Sequence, residues 1–121
     1  MKAAIITSSD KGYAGEREDI SGQVMEDILK EAGYEIMRKV ILPDDRQMLA
    51  DEMLRMCQDG ADLIMTTGGT GFSQRDVTPE ATRMVIEREA RGITDAILFY
   101  LCLLLQGPCC PELLQAFGER R

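Results

Sequence analysis

Apolar positions along the chain recur with two different spacings. Ala3-Ala4-Ile5-Ile6-Thr7 is a short continuous apolar run, the pattern of a strand buried on both faces of a parallel sheet. From Ile20 the spacing becomes helical. Ile20, Val24, Met25, Ile28, Leu29 and Ala32 predict one apolar face of a helix over about 21–32, stopped by Gly33. A second strand is expected over 34–42, with Ile36, Val40, Ile41 and Leu42 as its apolar content. Asp44 followed by Gln47 resembles a capping box and opens a second helix. Its buried side is expected to be Met48, Leu49, Met53, Leu54, Met56 and Cys57, and Gly60 ends it. Residues 63–67 read as a third strand. Thr78 as N-cap and Pro79 at the first helical position start a third helix, reaching about residue 90 with Ala81, Met84 and Val85 inward. Gly92 breaks it, and a strongly apolar fourth helix follows over 93–105. Strands alternating with helices predict an α/β fold with a mainly parallel sheet and right-handed crossovers. No repeat or linker is visible, and 121 residues fit one domain spanning 1–121.

Between the third strand and the third helix lies Thr66-Thr67-Gly68-Gly69-Thr70-Gly71-Phe72-Ser73-Gln74-Arg75-Asp76-Val77-Thr78-Pro79. Glycines at 68, 69 and 71 let a ligand approach the main chain closely, and successive N–H groups can form a nest for an anion. Hydroxyl groups, Arg75 and Asp76 complete an inventory suited to a phosphorylated ligand held with a divalent cation. The stretch is neither a P-loop nor a G-x-G-x-x-G fingerprint. The glycines alone fit a plain β-α turn equally well; with Arg75, Asp76 and the hydroxyls beside them, ligand binding is favoured.

Composition narrows the chemistry. The net charge of −7 argues against a nucleic-acid partner or a general membrane surface. With no histidine, acid/base and metal chemistry falls to carboxylates or thiols. Cys57, Cys102, Cys109 and Cys110 lack zinc spacing and read as reduced thiols of a cytoplasmic protein. No signal peptide is visible, and the apolar stretch 96–105 is too short to span a bilayer.

Ligands of open α/β sheets bind beyond the carboxyl ends of the strands. There the first strand delivers Ser8, Ser9 and Asp10, the second Asp44 and Asp45, and the third the glycine loop with Arg75 and Asp76. Asp10, Asp44 and Asp76 could together hold Mg²⁺. Each has a plainer reading: Asp44 as a helix cap, Asp10 as a turn residue, Asp76 as a cap or the partner of Arg75. Asp19 reads as the residue that starts the first helix or orders the 8–19 loop, which is long for a β-α connection. Convergence on one rim is what favours a site.

The run TTGGTGFSQRDVTPEAT resembles the signature of the MoaB/MogA family of molybdenum-cofactor biosynthesis proteins, which includes molybdopterin adenylyltransferases and the gephyrin G domain. The resemblance extends over about 1–100. It takes in Ser9-Asp10, Gly15-Glu16-Arg17-Glu18-Asp19 with Ser21-Gly22, Leu42-Pro43-Asp44-Asp45 and Gly92-Ile93-Thr94-Asp95-Ala96. It implies a three-layer sandwich, here truncated at the carboxyl end, since residues 101–121 do not follow the family pattern. It also implies Mg²⁺-dependent adenylylation of molybdopterin by ATP with release of pyrophosphate. Asp44 and Asp76 are then the catalytic and metal-binding residues. Ser9, Asp10, Thr67, Gly68, Gly69, Thr70, Gly71, Arg75 and Thr78 contact substrate. A cytoplasmic homo-oligomer, a trimer, is the implied assembly. The alternatives are a non-catalytic molybdopterin-binding or assembly homologue, an inactive truncated product, or a generic nucleotide-binding module. Without the family's later segment, the third strand is expected to have an unpaired edge and the chain not to be a stable, active monomer.

Overall fold

A computed structural model describes residues 1–105, in two compact units, Met1–Ile86 and a second that begins at Glu87. The adjacent cysteines 109 and 110 and the apolar positions Leu113, Leu114, Ala116 and Phe117 lie outside the described residues.

The first unit is built around β1 (Lys2–Ser8), in which Ala3, Ala4, Ile5 and Ile6 are fully buried. A four-residue helix, α1 (Asp10–Tyr13), and then α2 (Ile20–Glu31) lead to β2 (Glu35–Leu42). Helix α3 (Arg46–Gln58) crosses to β3 (Leu63–Thr67), and α4 (Thr78–Val85) follows the glycine loop. The sheet order is β2-β1-β3, all parallel, with Ile5 paired to Lys39 on one side and Met65 on the other. A continuous apolar run is what a strand covered on both faces requires. Ala3 and Ile5 pack towards Leu29 and Met25 of α2, while Ala4 and Ile6 pack towards Leu49, Ala50, Met53 and Met56 of α3 and Ala81 of α4. This gives the three expected layers.

Helix faces differ from expectation at several positions. On α2, Leu29 is buried and Met25 half-buried, but Ile20, Val24 and Ile28 are exposed. Six apolar positions cover too wide an arc for one helix to bury against a sheet, and the Gly22–Met25–Leu29 stripe makes the contact. On α3, Met48, Leu54 and Cys57 are exposed, and Glu52 is buried instead. Its carboxylate meets Arg38 of β2 at 2.5 Å, a charge contact outside aligned hydrogen-bond geometry, and Arg55 at 3.5 Å. Two guanidinium groups therefore compensate the burial of that charge.

The cap assignments also shift. Asp45, not Asp44, caps α3 by accepting from Met48 N at 2.8 Å. Thr78 is the first helical residue of α4 and Val77 occupies the cap position without a side-chain bond. Helix α4 stops at Val85, because Ile86 turns extended, and Met84 is exposed. In the second unit, α5 (Arg91–Leu105) is apolar over most of its length and begins with the Thr94 hydroxyl donating to Arg91 O at 2.8 Å. Among the described residues β3 pairs only with β1, and no helix is long and apolar enough to cross a membrane.

The helix after β1 lies on one face of the sheet and the helix after β3 on the other. Adjacent strands whose connections leave in opposite directions open a crevice at their carboxyl ends, and there a ligand site is expected.

Candidate functional site

Three consecutive hydroxyl residues end β1, and each fastens a different segment. The Thr7 hydroxyl donates to Asp19 Oδ2 at 2.9 Å. The Ser8 hydroxyl, almost wholly buried, donates to Asp44 Oδ1 at 2.6 Å. Ser9 accepts from Gly12 N at 3.0 Å and so caps α1. Asp19 also caps α2 through Gly22 N at 3.0 Å. A Cβ at residue 22 would collide with that same carboxylate, so glycine is required there.

The glycine loop is shaped from behind. Gly68 and Gly69 have φ of 83° and 64°, a region that favours glycine. A Cβ on Gly68 would strike the Ser8 carbonyl oxygen; one on Gly69 would strike the Thr78 hydroxyl and lie 2.9 Å from Ser8 Oγ. Thr78 holds both carbonyls, its hydroxyl donating to Gly68 O at 2.9 Å and its N–H to Gly69 O at 3.0 Å. Among the described residues, the N–H groups of Gly69, Thr70 and Gly71 donate to no protein acceptor. Unpaired N–H groups in succession offer an anion its hydrogen bonds. Further along, Asp76 Oδ2 accepts from Ser73 N at 2.9 Å, closing the turn on which its carboxylate is carried.

Arg75 does not pair with Asp76. Its Nε and Nη2 donate to Asp10 at 3.0 and 2.7 Å, in a two-pronged ion pair between the glycine loop and α1. Asp10 Oδ1 in turn accepts from Asp44 N at 2.9 Å. These bonds hold the Asp10 carboxyl below its ordinary pKa, the Arg75 contact first and the Asp44 N–H second, and raise that of Arg75. The loops after all three strands are thereby tied together.

Between them lies a cleft of about 480 Å³, within the size range of small-molecule sites. Of the residues expected to act, Ser9, Asp44, Thr67, Gly68, Gly69 and Asp76 line it. Asp10 and Arg75 stand outside its lining, paired with each other. Thr70 and Gly71 lie farther along the loop, and buried Thr78 supports the loop from behind rather than facing the cleft. Among the described residues no three acidic or thiol side chains converge as a metal cluster. The three-aspartate site is therefore corrected: Asp10 is committed to Arg75 and the Asp44 backbone, and Asp44 and Asp76 remain as candidate ligands.

The structure adds wall residues that were not singled out as contacts: Thr7, Ser8, Arg17, Glu18, Asp19 and Ser21. Their visible signals were the length of the 8–19 loop and, for Arg17, Glu18, Asp19 and Ser21, their place in the family resemblance. Four carboxylates line the cleft, Glu18, Asp19, Asp44 and Asp76, against one cation, Arg17.

Known proteins resemble this chain in sequence and in fold. The family described as "Probable molybdopterin binding domain" matches residues 4–99. The chain is 39% identical over 89 residues to a molybdopterin adenylyltransferase of Pyrococcus furiosus, covering 74% of this chain and 52% of that protein. It thus spans about half the length of the curated relatives it matches. The MoaB structure from Thermus thermophilus superposes with a TM-score of 0.75 at 36% identity, over 81% of this chain and 62% of that one. A molybdopterin biosynthesis protein from Mycobacterium abscessus does so with a TM-score of 0.81 at 30% identity, over 91% and 68%.

Proposed function

Because the chain belongs to the family of molybdopterin-binding domains that contains MoaB and MogA, we propose that it serves molybdenum-cofactor biosynthesis by binding molybdopterin in this cleft and adenylylating it with ATP. The observation that carries the reading is the glycine loop, which lines the cleft through Gly68 and Gly69 beside Asp44 and Asp76 and whose N–H groups at Gly69, Thr70 and Gly71 are unpaired among the described residues. In the reaction, an oxygen of the terminal molybdopterin phosphate bonds to the α-phosphorus of ATP. The bond from that phosphorus to the β-phosphate oxygen breaks, and its electron pair leaves with pyrophosphate. The attacking phosphate is already ionised, so the absence of histidine is no obstacle.

The protein's share is in-line positioning and charge compensation. The loop N–H groups hold the pterin phosphate. Ser8 fixes Asp44, and the Ser73 N–H fixes Asp76. Two carboxylates on one cleft suit Mg²⁺, which takes one or two carboxylates and keeps water and phosphate oxygens as its other ligands. When bound by Asp44 and Asp76, the ion would supply charge neutralisation at the phosphates. The free outer edge of β3 among the described residues supports assembly into an oligomer, a trimer by resemblance. The cytoplasm is the compartment this biosynthetic role implies.

Asp76→Asn tests the reading. Turnover with molybdopterin, ATP and Mg²⁺ should fall at least a hundredfold, on the order of an electrostatic transition-state contact, while the unfolding midpoint stays put. Undiminished turnover removes Asp76 from the mechanism. The alternative is binding without turnover, in which the loop N–H groups hold molybdopterin and no adenylyl group is transferred. Calorimetric titration with molybdopterin, run beside the turnover assay, separates the two.

A further inference from the structure

Arg17 lines the cleft and Arg75 stands outside its lining, and the two are not equivalent. Arg75 is committed to Asp10 through both Nε and Nη2, so its charge is already matched and its fork already filled. Arg17 lines the cleft, stands exposed, and makes no hydrogen bond or ion pair with any described residue. The nearest carboxylate in sequence on that wall with defined partners, Asp19, is occupied by Thr7 and Gly22. Arg17 is thus the cation that an anion entering this acid-lined cleft would meet. It sits on the segment between α1 and α2, whereas the N–H groups of the glycine loop follow β3. Two separate anion-holding features on one cleft call for a ligand set with two anionic groups.

We propose that Arg17 grips the polyphosphate of the nucleotide, compensating charge on the departing pyrophosphate, while Arg75 is a positioning residue that braces the glycine loop against Asp10. The proposal rests on the reading of the cleft as a site for molybdopterin phosphate and ATP. A guanidinium on a phosphate is a charge-assisted, two-pronged contact, and its loss should weaken binding by roughly ten- to a hundredfold. Loss of Arg75 acts only through Asp10, whereas loss of Asp10 also removes the contact to the Asp44 N–H; the double variant should therefore be no worse than Asp10→Ala alone.

The experiment titrates the full chain calorimetrically with inorganic pyrophosphate and with ATP in the presence of Mg²⁺, for the native protein, Arg17→Ala, Arg17→Lys, Arg75→Ala, Asp10→Ala and the last two combined. Circular dichroism verifies folding of each. Arg17→Ala is expected to lose at least tenfold in affinity for both probes. Arg17→Lys should recover part of it, and the Arg75/Asp10 pair should be non-additive. Native-like affinity in Arg17→Ala overturns the proposal, as does additivity of Arg75→Ala and Asp10→Ala. A native protein that binds neither probe overturns it together with the reading it rests on. A native protein that binds both but transfers no adenylyl group refutes the transfer reading alone, and the titrations still decide the role of Arg17.

Discussion

Replacing Ser8 by alanine removes one oxygen from the centre of the site. That oxygen donates at 2.6 Å to Asp44 Oδ1 and is 4% exposed as part of its residue. A hydrogen bond to a charged group contributes about 1.5–3 kcal/mol net. Asp44 is half-buried, so water can replace part of the loss, and its other oxygen keeps only a long 3.4 Å contact with Asp10 N. The lower end, about 1.5 kcal/mol, is therefore expected, or roughly tenfold in the unfolding equilibrium. Turnover should fall further than stability, because a carboxylate freed from its donor no longer points steadily into the cleft. Denaturant unfolding of the native chain, Ser8→Ala, Asp44→Ala and the double variant measures the coupling directly. Nearly all of the Ser8→Ala cost should vanish in the Asp44→Ala background. If Ser8→Ala costs the same with and without Asp44, or leaves turnover unchanged, the 2.6 Å contact does not position that carboxylate.

Gly69→Val should destabilise by about 1–3 kcal/mol through its positive φ and the contact with Thr78, and abolish calorimetrically detected molybdopterin binding; equal affinity would make the loop a mere turn. Glu26 is held at a pKa of about 2 rather than 4.5, first by Lys30 at 2.6 Å and then by Lys39 of β2 at 2.9 Å. Its lowered value means the contribution is present above pH 4.5 and lost as pH falls through about 2. Stability curves of the native chain and Glu26→Gln should accordingly converge at the acid end, and parallel curves would refute the coupling. The 121-residue chain should not be a stable, active monomer, since β3 pairs only with β1 among the described residues; a monodisperse monomer in light scattering, with cooperative unfolding in denaturant and full adenylyltransferase activity, would contradict this.

Residue order revealed most where one physical demand dominates. β1 is readable because a strand covered on both faces must be apolar throughout, and the glycine loop because positive φ and close contact with Ser8 exclude side chains. Choices settled by tertiary contact were not readable. Ile20, Val24 and Ile28 share a helical spacing with Leu29, yet the angle at which α2 meets the sheet decides which stripe is buried. Asp44 and Asp45 are chemically identical neighbours. Only the extended backbone of Asp45 gives it the cap, leaving Asp44 to Ser8. Helix α1 is a four-residue turn held by one serine cap, too short for periodicity to register. Arg17 and Asp19 reach the cleft because their loop returns to β1, which spacing along the chain does not encode.

The three hydroxyl residues that end β1 also make the cleft a test of sheet alignment. In the parallel ladder Thr7 stands between Ile41 and Thr67, and Ser8 beside Leu42. A slip of one residue would exchange inward and outward sides, carrying the Ser8 hydroxyl away from Asp44 and the Thr7 hydroxyl away from Asp19. A misaligned sheet could still bury much of its alanine and isoleucine, but it would have no assembled phosphate cleft. A ligand that binds only the correctly zipped chain draws the population towards it by mass action. Substrate supply would then act on this protein as a proofreader of its own folding.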